Sequence, residues 1–195
     1  MLAETGRLKE IVALEVDDIQ HQRNLQITDL PNVHFRHGGA EAIPADDDSF
    51  DLVLMFKSLH HVPMEHMDAA LGEIARVLKP GGLAWISEPV FAGDLNEVFC
   101  LFHNEKIVRE AAFAAIRKAV DDGRLRLEKQ LFFNTRSFFE SFDQFDRRMI
   151  QVTHTSHRLA PELYQRVKEK FESYLTPEGA TFLNPQRVDL LRKAG

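Results

Sequence analysis

The chain of 195 residues predicts one α/β domain: a doubly wound, mostly parallel sheet with antiparallel closing strands and a helical insertion. Three observations carry this. Phe50 to Phe56, FDLVLMF, is apolar almost throughout, as in a strand covered on both faces. The first half alternates short apolar runs with helical patterns, the sign of parallel strands joined by crossovers. The second half ends in two further strand-like stretches, 149–154 and 187–191, suited to an antiparallel closing pair.

Ile11 to Leu14 is a short apolar run that stops at Glu15. Ile19 to Leu25 reads as a helix, with Asp17 or Asp18 as its N-cap. Pro31 and Asn32 turn the chain into a short strand at Val33 to Phe35, which ends before Gly38 and Gly39. Met67 to Leu78 is amphipathic, with Leu71, Ile74, Ala75 and Leu78 on one side. Pro80, Gly81 and Gly82 end it, and Leu83 to Ile86 is the next strand. Asp94 and Glu97 resemble a capping box at the head of a long, interrupted helical pattern over 96–120, with Gly123 just past its end. Phe138, Phe139, Phe142 and Phe145 fall at helical spacing within 136–148, and Pro161 to Leu175 reads as another amphipathic helix. Residues 1–195 thus form a single domain in which 89–148 is a helical insertion or lid. Ten of the 15 phenylalanines fall between Phe91 and Phe145, enough to pack a helical subdomain or wall a substrate pocket.

Composition narrows the function. With 44% hydrophobic and 28% charged residues the chain can bury a core, so wholesale disorder is excluded. No apolar run approaches the roughly 18 residues that span a bilayer, so no membrane role is expected. MLAETGRLKE carries acids and no apolar stretch of the secretory type, which points to the cytoplasm. Residues 1–95 hold 7 basic and 16 acidic side chains, net −9, and residues 96–195 hold 17 and 14, net +3. That balance offers no cationic face to a nucleic-acid duplex. The single cysteine, Cys100, builds neither a disulfide nor a thiolate metal site alone, and His154 and His157 in HTSH lack a third ligand, so no metal is expected.

Four features carry chemistry, in a fixed order. Glu15 is an acid at the end of a buried strand, placed to accept hydrogen bonds from a ribose diol. GGAEAIP, Gly38 to Pro44, is a glycine-rich bend that exposes backbone donors at close range and runs into the acids Asp46 to Asp48 and then SFD. FDLVLMFKSLHHV is a strand ending in Ser58, His60 and His61. LKPGG, Leu78 to Gly82, is a helix stop before a strand.

In this order GGAE, IP, SFD, LHHV and LKPGG resemble the class I S-adenosylmethionine-dependent methyltransferases with small-molecule substrates, over roughly 80 residues from Ile11 to Pro89. The resemblance implies a Rossmann-like sheet, S-adenosyl-L-methionine as cofactor and a small-molecule substrate. It implies a cofactor site made of Glu15 at the ribose, Gly39, Ala40 and Glu41 around the adenine, and Met55, Phe56 and Lys57 along the methionine part. Gly39 stands where the family has an Asp, and Glu41 is the available substitute. His60 and His61 lie near the methyl group, where a general base for the acceptor would act.

The family's Gly-x-Gly-x-Gly loop has no counterpart here. Gly6 stands only nine residues before Glu15, too few for a helix and a connection at 1.5 Å rise per residue. Gly6 is read instead as the C-cap of a helix ending at MLAET, so the family's first strand is expected to be missing. That reading predicts weak cofactor binding, and homo-oligomer formation where a second copy covers apolar strand edges. Two functions follow: methyl transfer to a small molecule or, as the alternative, a non-catalytic methyltransferase-like protein that binds a partner or dimerises.

Overall fold

The structure, a computed structural model, describes residues 5–151 and 158–194. Strand β1, Ile11–Glu15, pairs in parallel with β2, Val33–His37, from Ile11↔Val33 to Glu15↔His37. Helix α1, Asp18–Asn24, joins them, and Asp17 is its N-cap, accepting from Gln20 N at 2.7 Å. Strand β3, Phe50–Phe56, runs parallel to β4, Leu78–Pro89, with helix α2, Met67–Val77, between them in sequence. Helices α3, Asp94–Phe99, and α4, Lys106–Asp121, lead to the long strand β5, Leu125–Phe139. Helix α5, Phe142–Phe145, continues into a π-helical turn at Asp146–Ile150. Helix α6, Pro161–Glu172, precedes β6, Ala180–Lys193, which pairs antiparallel with both β4 and β5.

The architecture is the expected mixed α/β one with antiparallel closing strands, but the sheet differs from the expectation in two ways. Strands β1 and β3 do not share a sheet: one sheet is β1-β2, the other β3-β4-β6-β5. Each satisfies its hydrogen bonds on one side only, β1 from β2 and β3 from β4, and among the described residues no strand bridges them. The second change is the closing pair. Met149 and Ile150, expected to begin a strand, lie in the π-helical turn, and residues 152–154 lie outside the described residues. The outer partner of β6 is β5 instead.

The phenylalanine spacing over 136–148 misled for a related reason. Residues 136–139 finish β5, where Phe139 is buried and Phe138 turns outward, a period of two rather than 3.6. Only Phe142 and Phe145 are helical, so the segment 89–148 contains a 15-residue strand as well as helices. The 96–120 pattern divides into α3 and α4 across Cys100 to Glu105. Asp94 and Glu97 do not form a capping box: Gly93 is the N-cap, and the Glu97 carboxylate accepts from Lys170 Nζ at 2.7 Å and from the Tyr174 hydroxyl at 2.9 Å. Residues 1–4 of the expected leading helix, and HTSH at 154–157, lie outside the described residues.

Two apolar clusters hold the fold. Helices α2 and α4 cover one face of the larger sheet, where Leu71, Ile74, Ala112 and Ile116 meet Met55, Ala84, Ile86 and Leu191. A second cluster joins Phe139, Phe142, Phe145, Phe171 and Phe182 across α5, α6 and the β5–β6 ladder. Its rings meet mostly edge to face, as at Phe139–Phe171 with centroids 6.0 Å apart at 80°. On the opposite face of β3 and β4, Leu52, Leu54, Phe56 and Trp85 line an apolar cavity of about 410 Å³ closed by Thr5, Arg7 and Leu8. Where α2 meets β4, Gly81 takes φ +76°, and a Cβ on Gly82 would stand 2.9 Å from the Lys79 carbonyl oxygen. The glycines of LKPGG are therefore required by the backbone itself.

Phe171 is fully buried at the centre of the second cluster. Phe171→Ala is expected to lower stability by about 3–5 kcal/mol. Urea unfolding should show a lower midpoint with an unchanged slope.

Candidate functional site

The site begins where β3 ends. Lys57 is a non-glycine residue at φ +53°, and its amide donates to the Ser87 carbonyl at 2.7 Å, closing the β3–β4 ladder. A 3₁₀ turn, Leu59–His61, follows, with Leu59 sunk into the first core. The turn is held by Glu88, whose side chain is almost wholly buried near the end of β4. Glu88 Oε1 accepts from the backbone amides of Ser58 at 3.1 Å and Leu59 at 2.9 Å, and Oε2 lies 2.5 Å from His60 Nδ1. An acceptor at Nδ1 places the imidazole proton there and leaves Nε2 as the lone-pair nitrogen.

His60 Nε2 lies 3.9 Å from Glu105 Oε1. The other oxygen of Glu105, Oε2, receives Arg109 through Nη2 at 2.5 Å and Nε at 3.1 Å, while His103 Nε2 lies 3.1 Å from Oε1. Burial pushes the Glu105 carboxyl up, but Arg109's hydrogen bonds and charge, aided by His60 and His103, outweigh it and hold the group below the usual carboxylate range. The His61 ring tilts over that of His60 with centroids 4.0 Å apart. His61 stays open at one edge, yet partial desolvation and the neighbouring His60 lower its pKa.

These groups form one end of a cavity of about 720 Å³. Lys57, His60, His61 and Arg109 line it together with Leu95 and Phe99 of α3, Pro185 and Gln186 of β6, and Arg148. Gln186 is buried in the cavity wall, and its Oε1, itself closed off from solvent, has no hydrogen-bond partner in the protein.

The residues expected to hold cofactor fall into separate groups. Glu15 ends β1, its carboxylate accepts from Asp17 N at 2.9 Å, and its carbonyl accepts from Gly38 N at 3.1 Å. This sets the Gly39–Ala40–Glu41 bend beside Glu15. A Cβ on Gly39 would lie 2.3 Å from the Glu41 carboxylate, so a side chain at 39 would displace that flexible group. The following loop is clamped to α2: Glu73 Oε2 accepts from Ile43 N at 2.9 Å, and Arg76 donates to the carbonyls of Ile43 at 3.0 Å and Ala45 at 2.8 Å. Of Met55, Phe56 and Lys57, only Lys57, just past the end of β3, lines the larger cavity. Met55 points into the core beneath α2, and Phe56 faces the smaller cavity.

Sequence reasoning missed Glu88, His103, Glu105, Arg109 and Gln186. Glu88 carried a readable signal, an acid at a buried strand's end, the same signature that singled out Glu15. The others depend on contacts such as those between α4 and the turn after β3, which no local pattern reveals.

Residues 1–86 match the family described as methyltransferase domain. The phthiotriol/phenolphthiotriol dimycocerosates methyltransferase of Mycobacterium tuberculosis is 47% identical over 53 residues, which cover 27% of this chain and 19% of that one. The ubiquinone/menaquinone biosynthesis C-methyltransferase of Brucella canis is 33% identical over 82 residues, 40% of this chain and 30% of that one. The matched segments thus span less than a third of these relatives. Among solved structures, the YcgJ protein of Bacillus subtilis superposes with a TM-score of 0.68 at 18% identity, covering all of this chain and 86% of that one. A SAM-dependent methyltransferase of Methanosarcina mazei superposes with a TM-score of 0.55 at 15% identity, covering 99% and 85%. Residues 1–86 are thus similar to a methyltransferase domain, and the fold of the whole chain is the one these solved structures share.

In metal-free protein, His61 should titrate below the ordinary histidine value of about 6.5. A histidine whose folded pKa is depressed binds fewer protons folded than unfolded, so stability is lost as pH falls below that ordinary value. Glu105 acts in the same direction at lower pH, because a depressed carboxylate loses its contribution as pH falls through its folded pKa. Histidine proton NMR gives the midpoint, and urea unfolding at pH 7 and pH 5 should show the less stable chain at pH 5.

Proposed function

We propose that this chain transfers the methyl group of S-adenosyl-L-methionine to a small-molecule acceptor held in the cavity beside His60 and His61. The observation that carries the reading is the turn after β3, where a buried Glu88 orients His60 toward an apolar-walled cavity of about 720 Å³. The names of the relatives, a dimycocerosate methyltransferase and a quinone-biosynthesis C-methyltransferase, support an acceptor with apolar character, as do Leu95, Phe99 and Pro185 in the cavity wall.

The groups present suit the cofactor. Glu15 offers a partly exposed carboxylate at a strand end, which answers a ribose diol, and Gly39 has no side chain of its own in the bend, where the movable Glu41 carboxylate stands over it. In this reading Glu15 holds the ribose, Gly39, Ala40 and Glu41 hold the adenine, and Met55, Phe56 and Lys57 form the strand end along the methionine part. Met55 and Phe56 act through backbone and shape, since their side chains point elsewhere. The cofactor supplies an electrophilic sulfonium methyl. The chain's work is to align the acceptor with it and exclude water, because transfer to an oriented nucleophile depends chiefly on alignment. His60 and His61 handle the acceptor's proton.

Equilibrium dialysis with radiolabelled S-adenosyl-L-methionine tests the cofactor half. Glu15→Ala should weaken binding by about tenfold or more, the worth of one charge-assisted hydrogen bond or better. Equal affinity in the variant would remove Glu15 from the site. Transfer of label to phenols, quinols or hydroxy acids tests the acceptor half.

A further inference from the structure

Beyond methyl transfer, and independently of it, we propose that His60, His61 and Glu105 form a binding site for one divalent transition-metal ion. One nitrogen from each histidine and one oxygen of Glu105 all lie within 4.8 Å of one another. An ion bound to nitrogen and oxygen at about 2.0–2.2 Å needs ligand atoms roughly 3–3.5 Å apart. The 3.9 Å between His60 Nε2 and Glu105 Oε1 therefore closes with about half an ångström of side-chain movement.

The outer partners strengthen the assignment more than the distances do. A histidine that binds metal through one nitrogen commonly donates its other N–H to a carboxylate, which fixes the tautomer and raises the ring's basicity. His60 has that partner in Glu88, at 2.5 Å from Nδ1. Glu105 is likewise half committed: Arg109 occupies Oε2, so Oε1 is left for the ion, with one carboxylate oxygen ligating and the other held by protein. His103 Nε2 lies 3.1 Å from that same Oε1, a contact the ion would share or displace. Two carboxylates, Glu88 and Glu105, stand beside one arginine, so an incoming dication is partly balanced.

The donor set also names the metal class. Imidazole nitrogens select zinc, cobalt, nickel, copper or iron over magnesium and calcium, and two histidines with one carboxylate on one side leave positions open to water or ligand. Those open positions face the cavity that His60 and His61 line.

The test uses the metal alone. Chain stripped with EDTA and desalted is titrated with Zn²⁺ by calorimetry, and with Co²⁺ followed by visible absorption. One ion per chain with micromolar or tighter affinity is expected. His61→Ala and Glu105→Gln should each weaken it by about tenfold or more, and Glu88→Gln by roughly 10–100-fold. His61 is open at one edge, so its replacement leaves the core intact, and circular dichroism checks that the fold persists. His34→Ala, on the exposed part of β2, should leave the titration unchanged. Absent or substoichiometric binding, or identical affinity in folded His61→Ala, would overturn the site. Because cofactor binding is measured separately, either proposal can fail without the other.

Discussion

The buried carboxylate of Glu88 is the contact on which the cavity end of this structure depends. Placing such a group out of water costs several kcal/mol unless its oxygens are answered. They are answered by two amides of the turn after β3 and by His60 Nδ1. That arrangement exists only because β3 and β4 hold the register Phe56↔Ser87, which sets Glu88 one residue beyond the last paired position, level with the turn. A slip of one residue would turn Glu88 to the other face of the sheet. The left-handed backbone of Lys57 belongs to the same arrangement. An unfavourable conformation persists where its surroundings over-determine it, and here the Ser87 carbonyl on one side and Glu88 on the other do so.

The smaller sheet is joined to this framework by a different device. Strands β1 and β2 share no ladder with β3, so the bend at Gly39 is positioned through its following loop. Arg76 and Glu73, one turn apart on α2, take up the carbonyls of Ile43 and Ala45 and the amide of Ile43, and Arg76 also meets Asp47 at 2.8 Å. The hydrogen bonds that Arg76 donates to the Glu73 and Asp47 carboxylates raise its pKa, which leaves its charge permanent. Partly exposed pairs of this kind add little stability. Their effect is geometric: they attach the Glu15–Glu41 region to the helix that packs beneath β3.

What was legible in the sequence follows the range of the interactions. Phe50 to Phe56 and Ile11 to Glu15 were readable as strands from their apolar runs, and the structure places β3 and β1 within those bounds, but β3 is not covered on both faces as expected, since Leu52 and Phe56 remain exposed. The α2 boundaries were readable from periodicity and LKPGG. The histidine pair was readable as a strand-end motif, and the structure brings it to the larger cavity with Lys57. Strand β5 was not readable. Phe132 and Phe138 are exposed on one of its faces and Phe133 on the other, which erases the alternation that marks a half-buried strand. Nor could any local pattern show that Glu105, at the head of α4, reaches His60 across 45 residues of chain, or that the sheet divides between β1 and β3.

The distribution of buried polar groups separates the two ends of the larger sheet. On the face beneath α2 and α4, β4 presents Ala84 and Ile86 and then Glu88, while β6, running the other way, presents Leu191, then Asp189, then Arg187. The face is apolar at one end and charged at the other. Asp189 is fully buried and accepts from Arg187 Nε and Gln130 Nε2, each at 2.7 Å, and the Arg187 guanidinium lies 3.7 Å from the Phe113 ring centroid. Hydrophobic groups of similar volume would often serve a core equally well or better. Two atoms even go unanswered, Arg187 Nη2 and, at the cavity wall, Gln186 Oε1. A polar row confined to the strand ends beside His60 is therefore poorly explained by stability. It is what a sheet needs if its apolar half is to hold the fold while its charged half orients side chains toward a ligand.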